Sequence, residues 1–197
     1  MTVHFIWLGS KMPQKYWANI ATYQQFGYDI MIHSKPFAGM YNKDIFDAMT
    51  TYAGKADVLR LEILYKYGGL YCDVDSVIRH RFPAGGESLI LMTTPNGFVG
   101  NETIYATKGH KGIEETINQM KDHIMTLVYC NIWDIAGATY LTPILTKYPH
   151  RRLEKSEVGK KSYNPLIIQH TYDASWNKSS KSEKKPLSYW LDKNLLK

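Results

Sequence analysis

The run Ala56-Asp57-Val58-Leu59-Arg60-Leu61-Glu62-Ile63-Leu64-Tyr65-Lys66-Tyr67-Gly68-Gly69-Leu70-Tyr71-Cys72-Asp73-Val74-Asp75 organises the reading of this chain. Ala56, Leu59, Ile63, Leu64 and Tyr67 recur at helical spacing, so residues 53–67 are predicted to form a helix. Gly68-Gly69 stops it. Residues 70–75 then read as a central strand that ends on two carboxylates. In an extended segment Asp73 and Asp75 point to one side, while Val74 points into the core. Carboxylates in so apolar a setting are costly unless something positive sits between them. A divalent cation held against a diphosphate meets that need most simply.

Outward from this run, residues 3–8 read as a buried strand closed by Gly9. Pro13 opens a helical pattern through Trp17, Ile20, Ala21 and Gln24 that Gly27 ends. Residues 28–33 form a second strand, broken by Lys35-Pro36. Extended pieces are expected at 77–79, 89–92, 97–100 and 166–169, and helices at 112–129 and 140–147. Strands alternating with helices predict an α/β fold with a mostly parallel central sheet and flanking helices. The chain is expected to divide into a main domain over 1–176 and a basic loop with a short amphipathic segment over 177–197.

At 197 residues the chain can bury one good core. Its net charge of +6 is uneven: residues 145–197 hold twelve basic and five acidic side chains, and the rest is close to neutral. That excess suits an anionic membrane surface, a nucleic acid or a phosphorylated substrate, and equally a solvated face. Cys72 and Cys130 are too few for a disulfide scaffold and suit a reducing, cytosolic compartment. No run is long and apolar enough to span a membrane, and the start has no secretory pattern. A cytoplasmic protein is expected, able to rest on the inner face of the membrane through its basic quarter.

The acidic pair offers only oxygen, so Mn²⁺ or Mg²⁺ is expected in preference to zinc. Placed at the end of a strand, where open α/β sheets hold ligands, it would bridge the phosphates of a nucleotide. Asp57 and Arg60 share a helical face and can meet a ribose or a phosphate; they read equally as a surface ion pair. His170 can be a third metal ligand or a histidine satisfied by backbone, and Trp176 can cover a phosphate.

Together these segments resemble the glycosyltransferases whose sugar-binding region contains a DXD motif. These include initiating α-mannosyltransferases, capsular sugar transferases and, more distantly, the glucosylating domains of clostridial toxins. The opening Val3-His4-Phe5-Ile6-Trp7-Leu8-Gly9 with Pro13 and Trp17, and the closing His170 with Ser175-Trp176, are similar as well. The resemblance implies a GT-A fold, a UDP- or GDP-sugar donor, Mn²⁺, and retention at the anomeric carbon. It assigns Trp7 to the nucleobase, Asp57 to ribose or sugar, and Arg60 to the sugar or its acidic neighbour. It places Tyr71 and Asp73 at the donor, Asp75 on the metal with Asp73 and His170 beside it, and Ser175 and Trp176 on the β-phosphate. The segment Phe98-Val99-Gly100-Asn101 sits at a family strand, and Gly137-Ala138-Thr139 departs from a family Gly-Pro pair, which leaves the acceptor side open.

No general base stands out, which suits a retaining transfer driven by positioning and metal charge. Asn131 and Asp134 are candidates near the anomeric carbon. The expected acceptor is a saccharide or lipid-linked saccharide; a modified nucleic-acid base, or a binding protein without activity, are the alternatives.

Overall fold

The computed structural model describes residues 1–171, 183–192 and 194. The chain runs through β1 (Thr2–Ile6), α1 (Gln14–Gln25), β2 (Asp29–His33), α2 (Lys43–Ala48), α3 (Tyr52–Tyr67), β3 (Gly69–Cys72) and β4 (Ser76–Ile78). It continues with β5 (Leu89–Thr93), β6 (Val99–Ala106), α4 (Lys111–Thr126), β7 (Tyr129–Cys130), α5 (Ile132–Ala136) and α6 (Ala138–Leu145). After β8 (Arg151–Leu153), β9 (Val158–Lys160) and β10 (Ile168–His170) come β11 (Lys185–Pro186) and α7 (Leu187–Trp190).

Six strands form the main sheet in the order β2-β1-β3-β6-β5-β8. β1 pairs in parallel with β2 and β3, and β5 with β8, while β6 runs antiparallel to both its neighbours. The sheet is therefore mixed around one reversed strand. A smaller sheet, β4-β10-β9, and the β7–β11 pair complete the architecture. Among the described residues no helix is long and apolar enough to cross a membrane.

The local signals explain the central elements. Thr51 caps α3 by accepting the Gly54 N–H at 3.1 Å. Gly68 ends it with φ +67° and Gly69 follows at +100°. A Cβ on Gly68 would lie 2.5 Å from the Lys108 nitrogen, and one on Gly69 2.5 Å from the Thr2 oxygen. The double glycine thus permits both the left-handed turn and the close approach of two chain segments.

Helix α3 is buried along nearly its whole middle, including Asp57, Arg60 and Glu62, and so is more than an amphipathic surface helix. With α4, α6 and the C-terminal Leu187, Trp190 and Leu191 it fills one core. Tyr16, Ile20 and Tyr23 of α1 pack the other against Val3, Phe5 and Leu70.

Several expectations need correction. The strand predicted over 70–75 stops at Cys72, and Asp73–Asp75 form a turn. The piece expected at 97–100 is the start of the eight-residue β6. Strands β8 and β9 are too short to show alternation, and α5 is a five-residue helix made by its cap.

His4 and His33, on adjacent strands, form a hydrogen-bonded chain, with His4 buried and His33 half-buried. His4 Nε2 lies 2.8 Å from the Gly68 oxygen, and His4 Nδ1 lies 3.1 Å from His33 Nε2. The carbonyl requires a proton on His4 Nε2, so His4 Nδ1 accepts from His33, and both rings are neutral. Burial lowers both pKa values, that of His33 to about 4, with the neighbouring His4 ring adding to the effect. Tyr67 stacks on the pair, and the Lys66 ammonium lies over its ring. The unfolded chain therefore binds a proton near pH 6.5 that the folded chain refuses, and stability falls as pH drops from 6.5 toward 4. Allowing for the solvent screening of a half-buried ring, His33 accounts for about 1 kcal/mol of this loss between pH 7 and 5. Urea denaturation of His33→Gln at the two pH values should show a loss smaller by about that amount; equal losses would refute the assignment.

Candidate functional site

At the C-terminal ends of β1 and β3 the chain encloses a cavity of about 650 Å³. That volume is in the range of small-molecule sites. One wall carries Trp7, Lys15 and Tyr16, the floor Asp57, Arg60, Tyr71, Asp73 and Asp75, and β6 adds Asn101 and Glu102. Tyr52 of α3, Ile132 and Trp133 of α5, and Ala138 of α6 complete the rim.

Arg60 is the hub of the floor. Its Nη2 pairs with Asp57 Oδ1 at 2.6 Å, and its Nη1 lies 3.7 Å from Asp73 Oδ1. Nε donates to the Ala56 carbonyl at 3.2 Å, and Nη1 donates to that of Asn101. The guanidinium also lies 4.6 Å over the Tyr71 ring. Asn101 Nδ2 donates to Asp57 Oδ1 at 2.9 Å, and the Tyr71 hydroxyl donates to Asp73 Oδ1 at 2.7 Å. Asp57 and Arg60 are both over nine-tenths buried, so the surface-pair reading fails. Arg60 thus pairs with both acidic neighbours, Asp57 and Asp73.

The turn holding the acidic pair is pinned carbonyl by carbonyl. The Asp73 oxygen accepts from Ser76 Oγ at 2.6 Å, that of Val74 from Asn19 Nδ2 at 3.0 Å, and that of Asp75 from the Thr171 N–H at 2.8 Å. Asp73 N–H donates to the Glu102 carbonyl at 3.0 Å. Both carboxylates line the cavity through this turn and not through strand alternation, and Val74 lines it between them. The Asp73 side chain is 38% exposed and that of Asp75 18%. The surrounding walls push the Asp73 carboxyl up and Asp75 adds to this, against the pull of Arg60 and Tyr71.

His170 stands behind the pair. It is 1% exposed, its Nε2 meets Thr103 Oγ1 at 2.9 Å, and its Nδ1 is 3.9 Å from Asp75 Oδ1. Burial works against its charged form, but the neighbouring Asp75 carboxylate, with Glu102 and Asp73, outweighs it and raises the pKa. Among the described residues no group of three or more His, Cys, Asp or Glu is arranged to hold a metal ion. The triad of Asp73, Asp75 and His170 is thus not assembled, and His170 braces Asp75. Two carboxylates open to the cavity do fit a hard cation whose remaining ligands are phosphate oxygens and water.

Trp7 is half-buried, its indole N–H donating to the Ser10 carbonyl at 2.7 Å. Asn131 and Asp134 do not line the cavity. They form a capping box, in which Asn131 Oδ1 accepts from the Trp133 and Asp134 N–H groups and Asp134 Oδ2 accepts from the Asn131 N–H. The box sets the helix whose Ile132 and Trp133 line the cavity. Ser175 and Trp176 lie outside the described residues.

Tyr16, Tyr52 and Glu102 were not read from the sequence. A glycine inside a strand was the available signal for Glu102. A Cβ on Gly100 would meet Met92 Cε at 2.0 Å and Glu102 Oε2 at 2.7 Å, beside the register shift between Leu91 and Met92.

Residues 10–94 match the family described as glycosyltransferase sugar-binding region containing DXD motif. The matched part carries Asp57, Arg60, Asp73 and Asp75. No curated protein sequence matches significantly. Among solved structures the chain is similar to a PaToxG glycosyltransferase, with TM-score 0.61 and 19% identity over 74% of this chain and 67% of that one. The architecture is an α/β GT-A-like fold with a central mixed sheet flanked by helices.

The Arg60 hub leads to a definite expectation. Arg60→Ala strands the buried Asp57 carboxylate, and should lower unfolding free energy in urea by about 3 kcal/mol. A loss under about 1 kcal/mol, as for an exposed pair, would show that the hub carries no weight.

Proposed function

We propose that this protein transfers a hexosyl group from a UDP- or GDP-sugar to a saccharide acceptor, with Mn²⁺ or Mg²⁺ and with retention of configuration. The observation that carries the reading is the pair of carboxylates, Asp73 and Asp75, held at the cavity floor by a turn whose three carbonyls are all hydrogen-bonded. The match of residues 10–94 to a DXD-containing sugar-binding region supports it.

Asp75, braced by His170, and Asp73, tied to Tyr71 and Arg60, would hold the cation. When bound, that cation supplies positive charge to the departing diphosphate. Asp57 and Asn101 present oxygen and nitrogen to the hydroxyls of ribose or sugar. Trp7 offers its ring to the base. In the transfer the bond from the anomeric carbon to the phosphate oxygen breaks and a bond to the acceptor oxygen forms on the same face. The acceptor proton passes to the leaving phosphate oxygen, so no side-chain base is needed.

On the acceptor side, Trp133 and Tyr52 are large aromatics left 37% and 56% exposed within the cavity rim. Exposed rings in a concave site suit the apolar face of a sugar. Part of the basic excess is taken up by ion pairs, Lys147, Arg151 and Arg152 each meeting a carboxylate, which favours a saccharide over a nucleic-acid acceptor. Free, buried Cys72 and Cys130 support a reducing, cytoplasmic setting.

Two measurements test the reading. Hydrolysis of UDP- and GDP-sugars should require Mn²⁺ or Mg²⁺, and Asp75→Asn should slow it by about a hundredfold or more, about 2.7 kcal/mol of barrier. Turnover indifferent to metal and to this substitution would end the proposal. Trp133→Ala should shift the partition between sugar transfer and donor hydrolysis about tenfold toward hydrolysis, with a higher acceptor KM; an unaltered partition would remove Trp133 from the acceptor site.

A further inference from the structure

The hydroxyl of Tyr16 is a buried polar atom to which the described residues offer no hydrogen bond. The side chain is 1% exposed and lines the cavity beside Trp7. Among the described residues its oxygen has no hydrogen-bond partner and no open surface. Thr93 Oγ1 is also without a partner, but Thr93 does not line the cavity. Sealing a hydroxyl without a partner is unfavourable, because its bonds to water are lost with nothing in exchange. Phenylalanine would fill the same space without that cost, so packing among the described residues does not call for the oxygen.

The surroundings indicate what meets it. The Tyr16 and Trp7 rings are 5.1 Å apart and tilted by 45°. The indole is tied to the Ser10 carbonyl, and the Tyr16 N–H is tied to that of Pro13 at 3.0 Å. Both aromatics belong to the β1–α1 side of the cavity, while the acidic pair follows β3, the next strand of the sheet. The Lys15 ammonium lies 4.8 Å over the Tyr16 ring, which draws electron density from the phenol and strengthens its O–H as a donor.

We infer that the Tyr16 hydroxyl donates a hydrogen bond to the nucleoside half of the sugar donor and sets specificity there. This rests on the nucleotide-sugar reading above and adds a recognition residue to it. Because the oxygen has no open surface, the contact requires the Trp7 indole or the phenol itself to shift as the nucleoside enters. A site that keeps a polar group for one ligand rejects analogues that leave it unpaired.

The test is Tyr16→Phe in the full chain. Thermal melting is followed without ligand, and titration calorimetry with Mn²⁺ uses UDP, GDP and inorganic pyrophosphate. The inference expects the ligand-free melting temperature to hold or rise. It expects affinity for the nucleoside diphosphate that the wild type binds to fall about tenfold, the equivalent of one buried hydrogen bond. Pyrophosphate should bind both proteins alike. Unaltered nucleotide affinity overturns the inference, as does a lower melting temperature with binding retained, which would mean that the hydroxyl serves the fold. Equal weakening of pyrophosphate also overturns it by moving the contact to the phosphates. If the wild type binds neither UDP nor GDP, the donor reading fails first and takes this inference with it.

Discussion

The guanidinium of Arg60 is the interaction on which the site depends. It is a charge buried on a central helix, stabilised by Asp57, the carbonyls of Ala56 and Asn101, the Tyr71 ring and the more distant Asp73. Burial of an ion is tolerable only where partners surround it, and here the partners come from α3, β3 and β6. One side chain thereby ties together the three elements that form the cavity floor. Arginine suits this task because its planar fork donates in several directions and stays charged.

A second constraint acts on the acidic turn. Asn19, Ser76 and Thr171, from three separate stretches of chain, each take one of its successive carbonyls. With its backbone oxygens engaged, the turn leaves its carboxylates to the cavity. Such preorganisation is what a site needs if charge is to be stabilised without reorganisation at the moment of reaction. His170 and Thr103 extend the same logic one layer deeper, behind Asp75.

Much of this was legible in the residues. The spacing of Leu59, Ile63 and Leu64, the double glycine and the apolar strand after it mark α3 and β3, because helical and extended periods leave different traces. Asp57, Arg60, Asp73 and Asp75 stand out because charged groups are rare inside such segments. Asn131 and Asp134 misled, since a polar pair three apart serves a helix cap as readily as a substrate. Glu102 escaped notice because β6 read as ending at Gly100, where a local register shift interrupts the pattern.

The sequence by itself determined the alternation of elements, the break at Gly68-Gly69 and the identity of the acidic residues, since each is a local property of the chain. Only the tertiary structure decided that Asp73 and Asp75 lie in a turn, that Arg60 faces inward, that His170 supports and does not complete the acidic pair, and that Tyr16 and Trp133 share its cavity. Those outcomes depend on residues far apart in sequence becoming neighbours, and no periodicity along the chain records which distant carbonyl, ring or carboxylate a side chain will meet.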